Sequence, residues 1–165
     1  MLVWLPAALL TACSGRAGVG TVEIRLSDHR EAIGDFGRLT VVIDRLELHP
    51  ASSPPDTGWI VLIASVPQAD LTQLVGDASL LIVRQAAAAQ TYDAVRLVFS
   101  GAIGILNDGG EIQFDEFSEA GRVEFELVDG GTSTILIDVV VQSRQDHPGE
   151  GYLMLLGETQ LVGGD

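Results

Sequence analysis

The sequence contains no lysine, one cysteine and few aromatic residues, and each scarcity excludes a class of protein. All nine basic residues are arginine, against 23 acidic residues, which gives a formal net charge of -14. Such an acidic surface repels phosphate backbones, so nucleic acid is not an expected partner. A single cysteine excludes an intramolecular disulfide and a cysteine-rich zinc site. The 165 residues, 47% of them hydrophobic, are sufficient for one domain with its own core.

The one cysteine, Cys13, follows an uncharged apolar opening, MLVWLPAALL, in the stretch LTACSG. Residues 2–12 are too short to span a membrane as a helix, which needs about 20 apolar residues, but they have the length of a signal-peptide apolar core. The alternative is a buried amino-terminal strand with Cys13 in the core. Pro6 and the polar SGRAG that follows the cysteine disfavour this alternative.

LTAC resembles the bacterial lipobox, in which a leucine and two small residues precede a cysteine that receives a diacylglycerol and becomes the first mature residue. The resemblance implies a signal peptide over residues 1–12, lipidation of Cys13 and a tether over residues 13–19. The domain, residues 20–165, is then expected in the cell envelope, outside the cytoplasm, and held to a membrane by acyl chains.

From Gly20 onward, apolar and polar residues alternate with a period of two. In GTVEIRLSD, the residues Val22, Ile24 and Leu26 share one face, as in a half-buried strand. In RLTVVIDRLELH the apolar face switches at Asp44, which predicts a β-bulge. Further strand patterns are WIVLIA, TYDAVRLVFS, GRVEFELVD, STILIDVVVQS and GYLMLLGETQLV.

Turn residues separate these segments, and NDGG, residues 107–110, predicts a tight hairpin. Only the stretch 76–90, GDASLLIVRQAAAAQ, has the composition of a helix, and an irregular crossover is the alternative there. We therefore expect an all-β fold, an antiparallel β-sandwich of eight or nine strands with at most one short helix.

One strand segment, STILIDVVVQS, is apolar on both faces, which is typical of a strand in the middle of a sheet. Asp138 interrupts it, and a buried carboxylate is costly unless it is paired. Arg96, within AVRLVF, is the arginine most expected on another central strand. We therefore predict a structural ion pair between Arg96 and Asp138; a ligand-binding acid is the alternative.

The order of the strand and turn segments along the chain resembles that of a known domain family. GTVEIRLSD, VVIDRLELHP, a proline-rich turn, GW, ADLTQLVG, YDAVRLVF and ILIDVVV together resemble a family of uncharacterised prokaryotic domains of unknown function, found mainly in secreted proteins and lipoproteins. The resemblance extends from about Gly20 to Val162. It implies a β-sandwich at the cell surface, and it transfers no catalytic residue.

Histidine stands beside aspartate or proline at three predicted strand ends. If these ends converge, imidazole and carboxylate groups form a site for zinc or another divalent ion, the one cofactor the sequence suggests. The alternative is that they are polar turn residues that cap free backbone groups. The candidate ligands are His29, His49, His147, Asp28 and Asp146, with Asp35 nearby.

Acidic loops are a second candidate site, for calcium, but they contain no EF-hand or nonapeptide repeat. Solvated loops that keep the domain soluble are therefore the favoured interpretation. The residues concerned are Asp108, Asp115, Glu116, Glu119 and Asp129.

No enzyme motif is present, so we expect a binding protein rather than an enzyme. The first hypothesis is an interaction or structural module that presents loops or a sheet face to another envelope protein or polymer. The alternative is a carbohydrate or small-ligand binding module, with or without a metal ion, because sugars pack on aromatic rings. Its candidate platforms are Trp59 and Tyr152, and the two side by side on the surface would favour it.

Overall fold

The computed structural model describes residues 18–29, 31–144 and 151–164, with only the backbone at His29, and these residues are mostly strand. Two short 3₁₀ turns, Ala32–Asp35 and Leu71–Gln73, interrupt the strands. The ten strands are β1 Val19–His29, β2 Phe36–Pro50, β3 Ile60–Leu62, β4 Gln68–Asp70, β5 Leu80–Ala88, β6 Thr91–Leu106, β7 Glu111–Phe114, β8 Phe117–Glu126, β9 Thr132–Ser143 and β10 Tyr152–Gly164.

The strands form two sheets, which confirms the predicted all-β, sandwich-like fold. Sheet A has the order β10-β9-β1-β5. Sheet B has the order β3-β2-β6-β7, with β4 beside β2 and β8 beside β6. The expected all-antiparallel arrangement is wrong in one place, because β1 and β9 are parallel. Parallel neighbours need a long connection between them, and here the chain passes through sheet B, ending with β6–β8, before it returns to sheet A as β9.

The period-two pattern places one face of each strand in the core. In β1, Val22, Ile24 and Leu26 are fully buried, and β9 contributes Ile135 and Val139 from the neighbouring strand. STILIDVVVQS lies between β10 and β1, which confirms that it is a central strand. Sheet B faces this layer with Leu39, Val41, Leu46, Leu48, Val95, Leu97 and Phe99.

Three local expectations have clear outcomes. The bulge near Asp44 is confirmed, because the β2–β6 register shifts on both sides of Ile43. The NDGG hairpin is confirmed as well, since it joins β6 to β7 and has Gly109 at φ +90°. The stretch 76–90 contains no helix: Leu80–Ala88 is β5, paired with β1. Burial of Ile82 and Val83 and pairing with β1 outweigh the helix propensity of the alanines.

Contacts between the sheets join both lateral edges of the sandwich. On one side, the amide of Ser65, beyond β3, donates to the carbonyl of Ile82 in β5 at 2.8 Å. On the other side, the amide of Leu156 in β10 donates to Oε2 of Glu119 in β8 at 3.0 Å. Within the described ranges, no helix is long and apolar enough to cross a membrane.

Candidate functional site

A loop between β2 and β3, residues 51–59, folds over the outer face of sheet B. Leu46 and Leu48 are buried in the core, so strand alternation directs Glu47 and His49 to the outer face. Both are nevertheless buried, and His49 is only 3% exposed. The loop therefore encloses a polar layer that alternation alone would place in solvent.

His49 connects this loop to the sheet. Its Nδ1 lies 2.6 Å from Oδ1 of Asp93 on β6, and its Nε2 lies 3.0 Å from the carbonyl oxygen of Pro54 and 3.1 Å from that of Thr57. All three partners are acceptors, so both ring nitrogens must carry hydrogen and the ring is an imidazolium. The Asp93 carboxylate and the Pro54 carbonyl accordingly raise the pKa of His49.

Arg96 and Trp59 form the second part of the enclosed layer. The Arg96 guanidinium lies 3.8 Å from the centre of the Trp59 ring, in a cation–π contact. Its Nη1 donates to Oε2 of Glu47 at 2.7 Å, and Nε of Arg45 donates to the other oxygen of Glu47 at 2.9 Å. The His49 ring also packs on Trp59, with the ring centres 4.8 Å apart. These contacts fix the orientation of the indole.

A groove of about 550 Å³ opens beside this layer, between the 51–59 loop and β8. This volume is in the range of small-molecule sites, about 300–1,000 Å³. The loop supplies Pro55 and Trp59, β6 supplies Asp93 and Ala94, and β8 supplies Arg122 and Glu124.

Several polar groups of this groove lack a partner among the described residues. The Arg122 side chain forms no hydrogen bond or ion pair there, and one oxygen of Asp93 is not used by His49. The Asp93 side chain is 44% exposed, so this carboxylate is accessible from the solvent. The Nε1 donor of Trp59 is buried and has no acceptor. Arg122 and Asp93 thus offer hydrogen bonds that the described part of the protein does not use.

Trp59 and Tyr152, the two candidate platforms, lie far apart. Trp59 follows the carboxyl end of β2, whereas the Tyr152 ring packs on Phe36, at the amino end of β2, with centres 4.7 Å apart. The Tyr152 hydroxyl donates to Oδ2 of Asp35 at 2.9 Å. The two rings therefore cannot form one sugar platform, and only Trp59 borders the groove.

The predicted divalent-metal site is not assembled in the described part of the chain. Asp28 lies near the end of β1 in sheet A, and His49 lies at the far end of β2 in sheet B, with both ring nitrogens engaged. No group of three potential ligands occurs among the described residues. Cys13, Asp146, His147 and the His29 side chain lie outside them.

Asp28 instead belongs to the core. It shares the inner face of β1 with Leu26 and is 3% exposed, and neither of its carboxylate oxygens has a hydrogen-bond partner among the described residues. Burial and, secondarily, the charge of Asp138 raise the pKa of Asp28 to about 7. The group is therefore protonated in the folded protein under mildly acidic conditions.

The predicted ion pair between Arg96 and Asp138 is wrong. Arg96 lies in β6 of sheet B and pairs with Glu47, whereas Asp138 lies in β9 of sheet A and accepts a hydrogen bond from the Ser27 hydroxyl. The cross-strand neighbour satisfies each group within its own sheet, because register, not residue type, decides which charges meet.

Three of the acidic loop residues have structural roles. Asp108 accepts from the amide of Gly110 at 2.9 Å within the hairpin turn. Asp129 accepts from the amide of Val19 at 2.8 Å, and Glu119 joins β8 to β10 as described above. Asp115 and Glu116 are exposed between β7 and β8.

Sequence reasoning missed most of the groove. Arg122 and Glu124 alternate with the buried Val123 and Phe125, so the pattern placed them on the outer face of a strand. No local motif indicated that Pro55 and Asp93 would lie opposite them, since this depends on how the loop folds back. A proline-rich loop that ends in tryptophan after an outward histidine was the available signal.

Of three comparisons with known proteins, the one with family models gives a match. Neither a curated protein nor a solved structure matches it. A family model described as a domain of unknown function, DUF4382, matches residues 19–156, which include the groove, all of sheet B and sheet A up to the first residues of β10. The chain therefore belongs to this family of domains of unknown function.

Proposed function

We propose that the chain is a lipid-anchored interaction module of the cell envelope that binds a partner through the groove beside Trp59. The observation that carries the binding role is the set of polar groups in that groove that have no partner in the described part of the chain, above all the Arg122 guanidinium and one oxygen of Asp93. The lipobox-like LTAC supports the anchor.

The position of the groove is compatible with a short tether. The carbonyl of Gly18 accepts from the amide of Ala89, in the β5–β6 turn, and Asp93 follows that turn on β6. Residues 13–18, fully extended, reach about 20 Å at roughly 3.5 Å per residue. A lipid on Cys13 would hold the groove near the membrane, where envelope proteins and polymers are available.

Binding fits the groove better than catalysis. General-base catalysis by histidine needs a neutral imidazole with a free nitrogen near substrate. His49 is buried, donates from both nitrogens and is held as an imidazolium. This ring serves to hold the loop.

The anchor is tested by replacing its attachment atom. In a bacterial host, we expect the protein to fractionate with membranes and to carry the mass of acyl chains, whereas Cys13→Ser abolishes both. Ser14→Ala, which leaves the cysteine in place, is the matched control and should behave as the unmodified sequence. Equal membrane recovery and equal mass for Cys13→Ser and Ser14→Ala would contradict the proposal.

A further inference from the structure

The groove beside Trp59 brings hydrogen-bond donors and acceptors close together. The Arg122 guanidinium and the Glu124 carboxylate project from β8, two residues apart on the same face. On the neighbouring strand β6, next to the Ala94 that pairs with Arg122, Asp93 presents one oxygen that has no partner in the part of the chain that the structure describes. A ligand in this space meets both donors and acceptors within one short span, as polyhydroxylated molecules require.

The third component of the groove is an apolar wall. Pro55 and Trp59 line the side opposite β8. Arg96 and His49 hold the indole in place, so little side-chain entropy is lost when a ligand packs against it. Flat aromatic rings and proline rings pack well against the C–H faces of sugar rings.

The charges in and around the groove favour a neutral ligand. His49 offsets Asp93, and Arg122 stands beside Glu124, so the groove itself has little net charge. The whole chain carries a formal charge of -14, which disfavours the approach of polyanions. An acidic polymer would also meet the carboxylates of Asp93 and Glu124.

We propose that the groove binds a segment of a neutral glycan chain. Hydroxyl groups of the sugar accept from Arg122 and donate to Asp93 and Glu124, and a C–H face of the sugar packs on Pro55 and Trp59. This inference rests on the proposed function in that it takes the groove as the binding site, and it names the chemistry of the partner. It requires no metal ion.

The chain provides its own site-specific probe. It contains two tryptophans, Trp4 and Trp59, so the full chain with Trp4→Phe and Cys13→Ser has its only indole at the groove. Its fluorescence is titrated with cellohexaose, maltohexaose and chitohexaose, and with hexagalacturonate as an acidic oligosaccharide. Calorimetry under the same conditions gives the dissociation constant independently of the indole.

We expect at least one neutral hexasaccharide to bind with a change in Trp59 emission and hexagalacturonate to bind at least tenfold more weakly. Arg122→Ala should raise the dissociation constant about fivefold or more, since a lost hydrogen bond to a charged group costs at least about 1 kcal/mol. Arg122 is exposed, so its truncation does not threaten the fold. Arg38→Ala, an exposed arginine at the other end of β2, is the matched control and should have no effect.

Three results would overturn the inference: no binding of any neutral hexasaccharide, binding that ignores Arg122→Ala and leaves Trp59 emission unchanged, or tighter binding of hexagalacturonate. None of them alters the membrane fractionation of Cys13→Ser, which tests the anchor separately. If no neutral glycan binds but the protein is still lipidated, the glycan inference is wrong and the proposed envelope anchor still stands.

Discussion

His49 in sheet B and Asp28 in sheet A are equally buried, each 3% exposed, yet their hydrogen bonding is opposite. His49 has an acceptor for each ring nitrogen, and it attaches a loop to the sheet. Within the described ranges, Asp28 has no partner for either oxygen, and burial raises its pKa to about 7. Burial alone therefore does not tell whether a polar side chain stabilises the fold, because the available partners decide which charge state it adopts.

The two groups nevertheless make stability change with pH in the same direction, since both have a raised pKa in the folded state. Between 3.8 and about 7, the unfolded chain has released the Asp28 proton and the folded chain keeps it, so this contribution to stability falls as pH rises. The contribution of His49 is complete below 6.5 and is lost as pH rises through its higher folded pKa. Stability therefore falls first through the Asp28 range, from 3.8 to about 7, and then through the His49 range, which begins at 6.5.

The largest expected effect on the free energy of unfolding comes from removing His49, the buried group whose ring nitrogens both have partners. His49→Leu leaves the Thr57 carbonyl without its donor, leaves the Pro54 carbonyl with the Thr57 amide alone, and removes the ion pair with Asp93. We expect a loss of about 3 kcal/mol in the free energy of unfolding at pH 6. Urea denaturation measures this loss. Asp93→Asn, which keeps a neutral hydrogen bond, should lose only about 1 kcal/mol.

The loss caused by His49→Leu should shrink as pH rises through the raised pKa of His49, because the unmodified protein itself then loses the imidazolium. A loss below about 0.5 kcal/mol at pH 6, the size of a typical surface substitution, would contradict the anchoring role of His49.

A smaller effect of opposite sign on the free energy of unfolding is expected at Asp28, the buried carboxyl group without a partner among the described residues. Asp28→Asn removes the ionisable group, and we expect it to increase the free energy of unfolding by about 2 kcal/mol at pH 8, since about three pKa units correspond to at most about 4 kcal/mol and the amide itself lacks a partner. At pH 4 the difference should be close to zero, because Asp28 is then neutral in the folded protein.

Asp138→Asn is the matched control for Asp28, since it removes the neighbouring charge but not the burial. Its gain at pH 8 should be the smaller of the two, because burial is the larger cause of the raised pKa. If Asp28→Asn destabilised the protein at pH 8, an unrecognised partner would have to hold the carboxylate.

The smallest effect concerns the loop that His49 holds. Gly58 has φ +83°, and a Cβ there would lie 2.7 Å from Cβ of Ser53. Gly58→Ala should therefore lower the free energy of unfolding by about 1–2 kcal/mol and shift the emission of Trp59. Gly109→Ala, at φ +90° with open space around it, isolates the backbone strain and should cost less. Equal losses for both would show that Ser53 imposes no constraint.

The sequence predicted the strands and turns well because period-two alternation and turn chemistry are local. It also contained a signal for the burial of Asp28, which continues the inner-face series Val22, Ile24 and Leu26. It did not predict that Arg96 meets Glu47, because cross-strand register depends on bulges such as the one at Ile43. The sequence did not predict the groove for the same reason, because the walls of the groove come from β8 and from a loop some sixty residues earlier in the chain.

The parallel pairing of β1 with β9 determines when the sandwich can assemble. Ser27 and its partner Asp138 are 111 residues apart in the chain, and β1 stays without one of its two neighbours until β9 has been made. Closing so long a loop is entropically costly, and proteins dominated by such distant contacts fold slowly, on the scale of milliseconds to seconds. A chain exported in the unfolded state, amino terminus first, would therefore reach the far side of the membrane before its first strand could complete the sheet.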